Sequence, residues 1–188
     1  MEMGLLSEGI TEVIAVTQDN AAPIGIIVKP GHSPKMILYK GSKTAENVVN
    51  YGWVTANFVS DAYLYTLYAF TDVQKENLRL VFVGGSEMQI LVESDAWMAF
   101  RTRIVNETKD AYFVELVPVA SEYVRDQMRP VNRGFNSVID ATVHATRYVI
   151  TPDEQLLKMI LYHLDIVRKC GGKRELEAAE LIKKVCGI

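Results

Sequence analysis

Cysteine is scarce in this chain. Only Cys170 and Cys186 occur, both near the C-terminus, with no CxxC pair and no zinc-like spacing. That argues against a disulfide framework and a structural metal, so no metal is expected. Two thiols on a helical tail pack readily as small hydrophobes. Long apolar runs are also missing: none approaches the roughly 18 residues of a membrane-crossing helix. The opening residues carry Glu2 and Glu8 where a signal peptide would place basic residues before an apolar stretch. The expectation is a cytoplasmic protein with no membrane partner. An excess of basic charge is lacking too. Lys and Arg total 20 against 23 Asp and Glu, a formal net charge of −3, which speaks against a dedicated nucleic-acid binder.

Chemical motifs are equally sparse. Neither GxxxxGK[ST] nor GxGxxG is present, so P-loop and Rossmann readings fail. Of the three histidines, His32 in its Pro-Gly-His-Ser-Pro loop reads as a loop histidine, His144 lies on a helix face and His163 on the tail helix reads as packed or exposed rather than catalytic. No nucleophile–base pair and no paired carboxylates stand out, so catalytic residues stay unassigned and any catalysis is expected to rest on a cofactor.

With 49% hydrophobic and 23% charged residues, the 188-residue chain can build a sizeable core. Its first half is rich in strands. Ile10–Gln18 is dense in β-branched residues and ends at Asp19-Asn20, a turn signal, and Pro23–Gly31 follows as the return strand of a hairpin. Lys35–Tyr39, KMILY, reads as a short third strand. TAENVVNYG reads as a short helix closed by Gly52. WVTANFV then alternates: Val54, Ala56 and Phe58 point one way, Trp53, Thr55, Asn57 and Val59 the other. The second face mixes apolar and polar residues, as if bordering a site. DAYLYTLYAF reads as a helix with an aromatic stripe, whereas LRLVFVGG is too short for periodicity to separate strand from helix. AWMAFRTRIV and AYFVELVPVA form a second hairpin.

The last third is helical. Phe135, Val138, Ile139, Thr142, Val143 and Thr146 recur at helical spacing as a buried stripe, with Asn136, Asp140, His144 and Arg147 opposite. Thr151, Pro152 and Glu154 suggest the capped start of the next helix. Gly171-Gly172 separates it from a final helix, giving a helical hairpin. Clustered strands joined by hairpins favour an antiparallel barrel over βαβ units.

One segment raises a chemical question. Lys40, Ser42, Lys43 and Thr44 surround Gly41 where a strand becomes a helix. A helix start offers unpaired N–H groups and a positive dipole end, which suit a phosphate. The other reading makes Ser42 or Thr44 an N-cap and leaves both lysines in water.

The succession ITEVIAVTQDNAAPIGIIVKPG, then KGSKTAENVVNYGWVTANFV, resembles the flavin-binding split-barrel superfamily. With NRGFNSVIDATVHATR, it is similar to a mainly archaeal family of domains of unknown function within it. The resemblance runs from Leu5 to Arg147 and more weakly through the tail. It implies a mainly β fold with α: a six-stranded antiparallel Greek-key split β-barrel over residues 1–130, with peripheral helices, and a helical extension over 131–188 packed on the barrel and ending in the hairpin. It further implies a homodimer with FMN at the subunit boundary. The FMN phosphate would lie near Ser42, Lys43 and Thr44, with Lys40 nearby. The ring would lie along Gly25, Ile26 and Ile27, and Asn57 would be a further contact. Arg133 or Asn136 would come from the partner subunit. The implied activity is a flavin-dependent oxidoreductase acting on a small molecule. The alternatives are a non-catalytic flavin-binding or interaction module and a deazaflavin enzyme on the same barrel.

Overall fold

The computed structural model describes residues 5–125 and 132–188. Two compact units emerge: among the described residues, 5–59 and 72–125 form one, and 60–71 with 132–188 the other. The expected boundary between residues 130 and 131 lies outside the described residues.

The first unit contains β1 (Gly9–Thr17), β2 (Asn20–Val28), β3 (Lys35–Tyr39), α1 (Lys43–Tyr51), β4 (Trp53–Phe58), a 3₁₀ turn (Lys75–Asn77), β5 (Leu78–Val83), β6 (Ser86–Leu91), β7 (Ala96–Glu107) and β8 (Ala111–Tyr123). Six strands close into an antiparallel Greek-key barrel in the order β1-β2-β3-β8-β7-β4. Alternation along the strands puts Val13, Ala15, Ile26, Met36, Leu38, Val54, Ala56, Met98, Phe100, Val114 and Leu116 inside. Both hairpins read from sequence are present, β1 with β2 and β7 with β8.

LRLVFV is a strand, paired with β6 as a separate two-stranded sheet. The mixed face of β4 borders this hairpin. Trp53, Met88, Ile90, Trp97 and Ala99 make a second apolar layer there, and the Thr55 hydroxyl donates to the Gln89 carbonyl at 2.6 Å.

The second unit holds α2 (Ala62–Phe70), α3 (Arg133–Tyr148), α4 (Glu154–Cys170) and α5 (Lys173–Cys186). Although α2 falls between barrel strands in sequence, it packs with the helices. The Tyr65 ring meets Phe135 edge-on at 6.0 Å. The Thr142 hydroxyl donates to the Val138 carbonyl at 2.8 Å, so at 2.9 Å it accepts from Thr66. The buried side of α3 is Gly134, Ser137, Val138, Ala141, Thr142 and Ala145. This corrects the expected stripe, because Val143 is exposed. Small residues win the inner face since they let neighbouring backbones approach: a Cβ on Gly134 would sit 2.5 Å from the Gly171 Cα. A second correction concerns α4. Its cap is Asp153, whose carboxylate accepts from the Leu156 N–H at 2.9 Å, and Thr151 lies before the helix. No helix of the described residues is long and apolar enough to cross a membrane.

Candidate cofactor site

The corner between β3 and α1 is built by one serine and one glycine. Gly41 takes φ 83°, a left-handed turn that Cβ-bearing residues disfavour. Ser42 is the N-cap: its hydroxyl donates to the Tyr39 carbonyl at 2.8 Å and accepts from the Ala45 N–H at 3.2 Å. The Glu46 N–H bonds to the Ser42 carbonyl at 3.1 Å. The N–H groups of Lys43 and Thr44 then have no acceptor within the helix, and they stand at its positive dipole end. The capping and anion-binding readings are therefore compatible, because the cap takes one donor and leaves two.

The side chains at this corner differ in how committed they are. The Lys40 ammonium lies 3.0 Å from the Glu107 carboxylate and 4.8 Å from the Tyr112 ring centroid. Lys43 is half-exposed, with the Asp72 carboxylate 3.7 Å away. Thr44 is buried, and its hydroxyl accepts from the Asn20 amide at 3.0 Å. The Asn47 amide donates to the Thr17 hydroxyl at 3.0 Å and to the Gln18 carbonyl at 2.7 Å. These bonds tie α1 to the β1–β2 turn.

That turn is itself fixed. Asp19 has φ 50°, its N–H donates to the Gln89 side-chain oxygen at 2.7 Å, and the Gln89 amide returns a bond to its carboxylate at 2.8 Å. Hydrogen bonds from Gln89, then Gln18, hold the Asp19 carboxyl below its ordinary range, and Lys75 and Lys43 add to the shift. Sequence reasoning missed Asn20, Asn47 and Gln89. The only signal was polar residues at positions that the strand and helix patterns turn inward.

Gly25, Ile26 and Ile27 lie on the barrel's weakest seam. β2 pairs with β1 along its whole length but with β3 only through Ile27 and Lys35. Among the described residues, 20–26 therefore have no strand paired on that edge. Pro23, which has no N–H to lose, sits there. The Ile26 side chain is fully buried, so only its backbone can meet a ligand. A Cβ at Gly25 would come 2.8 Å from the Ile10 side chain.

Asn57, expected as a further flavin contact, is engaged by hydrogen bonds inside the barrel unit. It is fully buried. Its amide nitrogen donates to the carbonyls of Ile14 and Thr55 and to the Thr55 hydroxyl, at 3.1–3.2 Å. Its oxygen accepts from the Leu91 N–H at 2.9 Å and the Ser94 hydroxyl at 2.8 Å. With donors and acceptor both spent, it joins β1, β4 and the end of β6. Arg133 and Asn136 are exposed in the first turn of α3, in the helical unit. The Arg133 guanidinium reaches the Cys170 sulfur at 3.3 Å.

Two family models match consecutive stretches of the chain. One, described as protein of unknown function (DUF447) N-terminal domain, covers residues 11–125, and the other, protein of unknown function (DUF447), covers 132–184. The chain belongs to the DUF447 family. Another DUF447 structure, the FMN-bound protein MM1853 from Methanosarcina mazei, is 38% identical with a TM-score of 0.90, over 95% of this chain and 96% of that one. A flavin reductase domain protein from Arthrobacter sp. FB24 is 14% identical with a TM-score of 0.51, over 63% of this chain and 80% of that one. The second likeness concerns the fold alone. It shows that the two proteins share the barrel fold.

Proposed function

We propose that this chain binds FMN, with the phosphate at the β3–α1 corner and the ring along the free edge of β2. The observation that carries the reading is the FMN-bound DUF447 relative, 38% identical over nearly the full length of both chains. The corner fits a phosphate. The N–H groups of Lys43 and Thr44 have no acceptor within the helix, the half-exposed Lys43 ammonium has the Asp72 carboxylate no nearer than 3.7 Å, and Ser42 keeps the helix start in place. The free edge of β2 at Gly25 and Ile26 offers backbone donors and acceptors to a flat polar ring. Lys40, already paired with Glu107, contributes long-range positive charge. Asn57 supports the barrel from within.

The working unit is a homodimer with the flavin at the subunit boundary, where Arg133 or Asn136 of the partner subunit completes the site. Bound FMN would supply electron or hydride transfer, making the protein a flavin-dependent oxidoreductase of the cytoplasm acting on a small molecule. The chain's own part is to hold the phosphate, orient the ring and limit access to it. Among the described residues no cluster of His, Cys, Asp or Glu could hold a metal. A non-catalytic flavin carrier is the second reading. Turnover of a reduced nicotinamide by the FMN-loaded protein excludes it.

The first test is the absorbance spectrum of the purified protein, which should show bound flavin. The second is Lys43→Glu. It should weaken FMN binding about tenfold or more, the loss of one charge-assisted contact, while riboflavin, which has no phosphate, changes little. Equal losses for both ligands would place Lys43 outside the phosphate site.

A further inference from the structure

Two histidines meet where α3 packs on α4. The rings of His144 and His163 lie 5.7 Å apart at 30°, and the Nδ1 atom of each is buried with no hydrogen-bond partner among the described residues. A neutral imidazole carries one N–H and one lone pair, so the tautomer that suits the His144 site has its proton on Nε2. A buried lone pair left alone costs less than a buried N–H left alone, so the arrangement is stable with the His144 ring neutral.

We propose that His144 and His163 form an acid-sensitive latch that holds α3 against α4 at neutral pH and loosens as His144 gains a proton. Protonation would place an N–H on the His144 Nδ1, where no acceptor lies within bonding distance, opposite a second imidazole. His163 differs, because the Asp140 carboxylate stands 3.9 Å from its Nδ1 and supplies a counter-ion. The titratable and charged groups acting on His144 are His163 from α4, and Asp140 and Arg147 from α3 itself. Tyr162, edge-on to His163 at 5.2 Å, closes the cluster on the α4 side.

Burial first, then His163 and Arg147, lower the His144 pKa below its ordinary 6.5, with Asp140 opposing them. The unfolded or opened helices therefore bind a proton at a pH where the packed ones do not. Stability from this residue is complete above about 6.5 and declines as the pH falls from there through the folded pKa.

The test is amide exchange on the full chain, corrected for intrinsic rates, at about pH 7.5 and about pH 5.5. Acid should speed exchange in α3 and α4 about threefold or more while barrel amides change less. His144→Phe, which fills the site without a titrating group, should remove most of that acceleration. An NMR titration of the wild-type ring supplies a second readout that does not depend on the variant folding. His144 titrating at or above 6.5, or a variant with the full acid response, would overturn the latch.

Discussion

The two units bury their interiors by opposite means. The barrel is filled with large side chains, among them Phe100, Met36, Met98, Leu116 and Ile26, all under 2% exposed. The helical core depends on Ala62, Ala141, Ala145, Ala178 and Ala179, with larger residues mainly from α4. A strand gives each inward residue a fixed direction, so a barrel can be filled from alternation alone. Helices gain contact by approaching closely, which rewards residues that are hardly there. Stability in the barrel is thus a matter of volume, and in the helices one of clearance.

Three substitutions bear on that contrast, taken from the largest effect down. Phe100→Ala empties the barrel centre and should cost about 3–5 kcal/mol, read as a drop in the denaturant midpoint at unchanged slope. A loss below about 1 kcal/mol would mean that the barrel collapses around the gap. Gly134→Ala tests clearance instead. Its new methyl meets the Gly171 backbone at 2.5–2.6 Å, and backbone cannot rotate away, so about 1–3 kcal/mol should be lost from α3 and α4. A neutral result in thermal melts would show that the two segments part easily. Ser42→Ala removes the α1 cap and should cost about 1 kcal/mol. If the corner is the phosphate site, FMN affinity should fall with it, and riboflavin affinity much less. A variant that melts earlier but binds FMN unchanged would leave Ser42 a cap and nothing more.

The barrel was legible because its information is local. The hairpin signal at Asp19-Asn20, the alternation in WVTANFV and the left-handed Gly52 after α1 each specify geometry within a few residues. The α3 stripe was misread because hydrophobicity alone favours Val143 over Ala141 and Ala145. Which face turns inward depends on how near α4 and α5 come, a non-local quantity. Capping went wrong before α4 for a similar reason: Thr151, Pro152 and Asp153 are all plausible helix starters, and the choice falls to the one whose oxygen reaches a free N–H.

The candidate site divides along the same line. Its residue types were visible in sequence: hydroxyls and lysines at a strand-to-helix junction beside a glycine that needs φ 83°. That much local chemistry determined, because a helix start exposes its donors wherever it occurs. Tertiary structure decided how each residue is used. It paired Lys40 with Glu107, left Lys43 half-exposed, tied Thr44 to Asn20, and turned Asn57 inward to spend its amide on three strands. It also left β2 a free edge, because β3 meets it only through Ile27 and Lys35. Hydrogen bonds and charges are settled by neighbours distant in the chain, and those neighbours exist only once the barrel has closed.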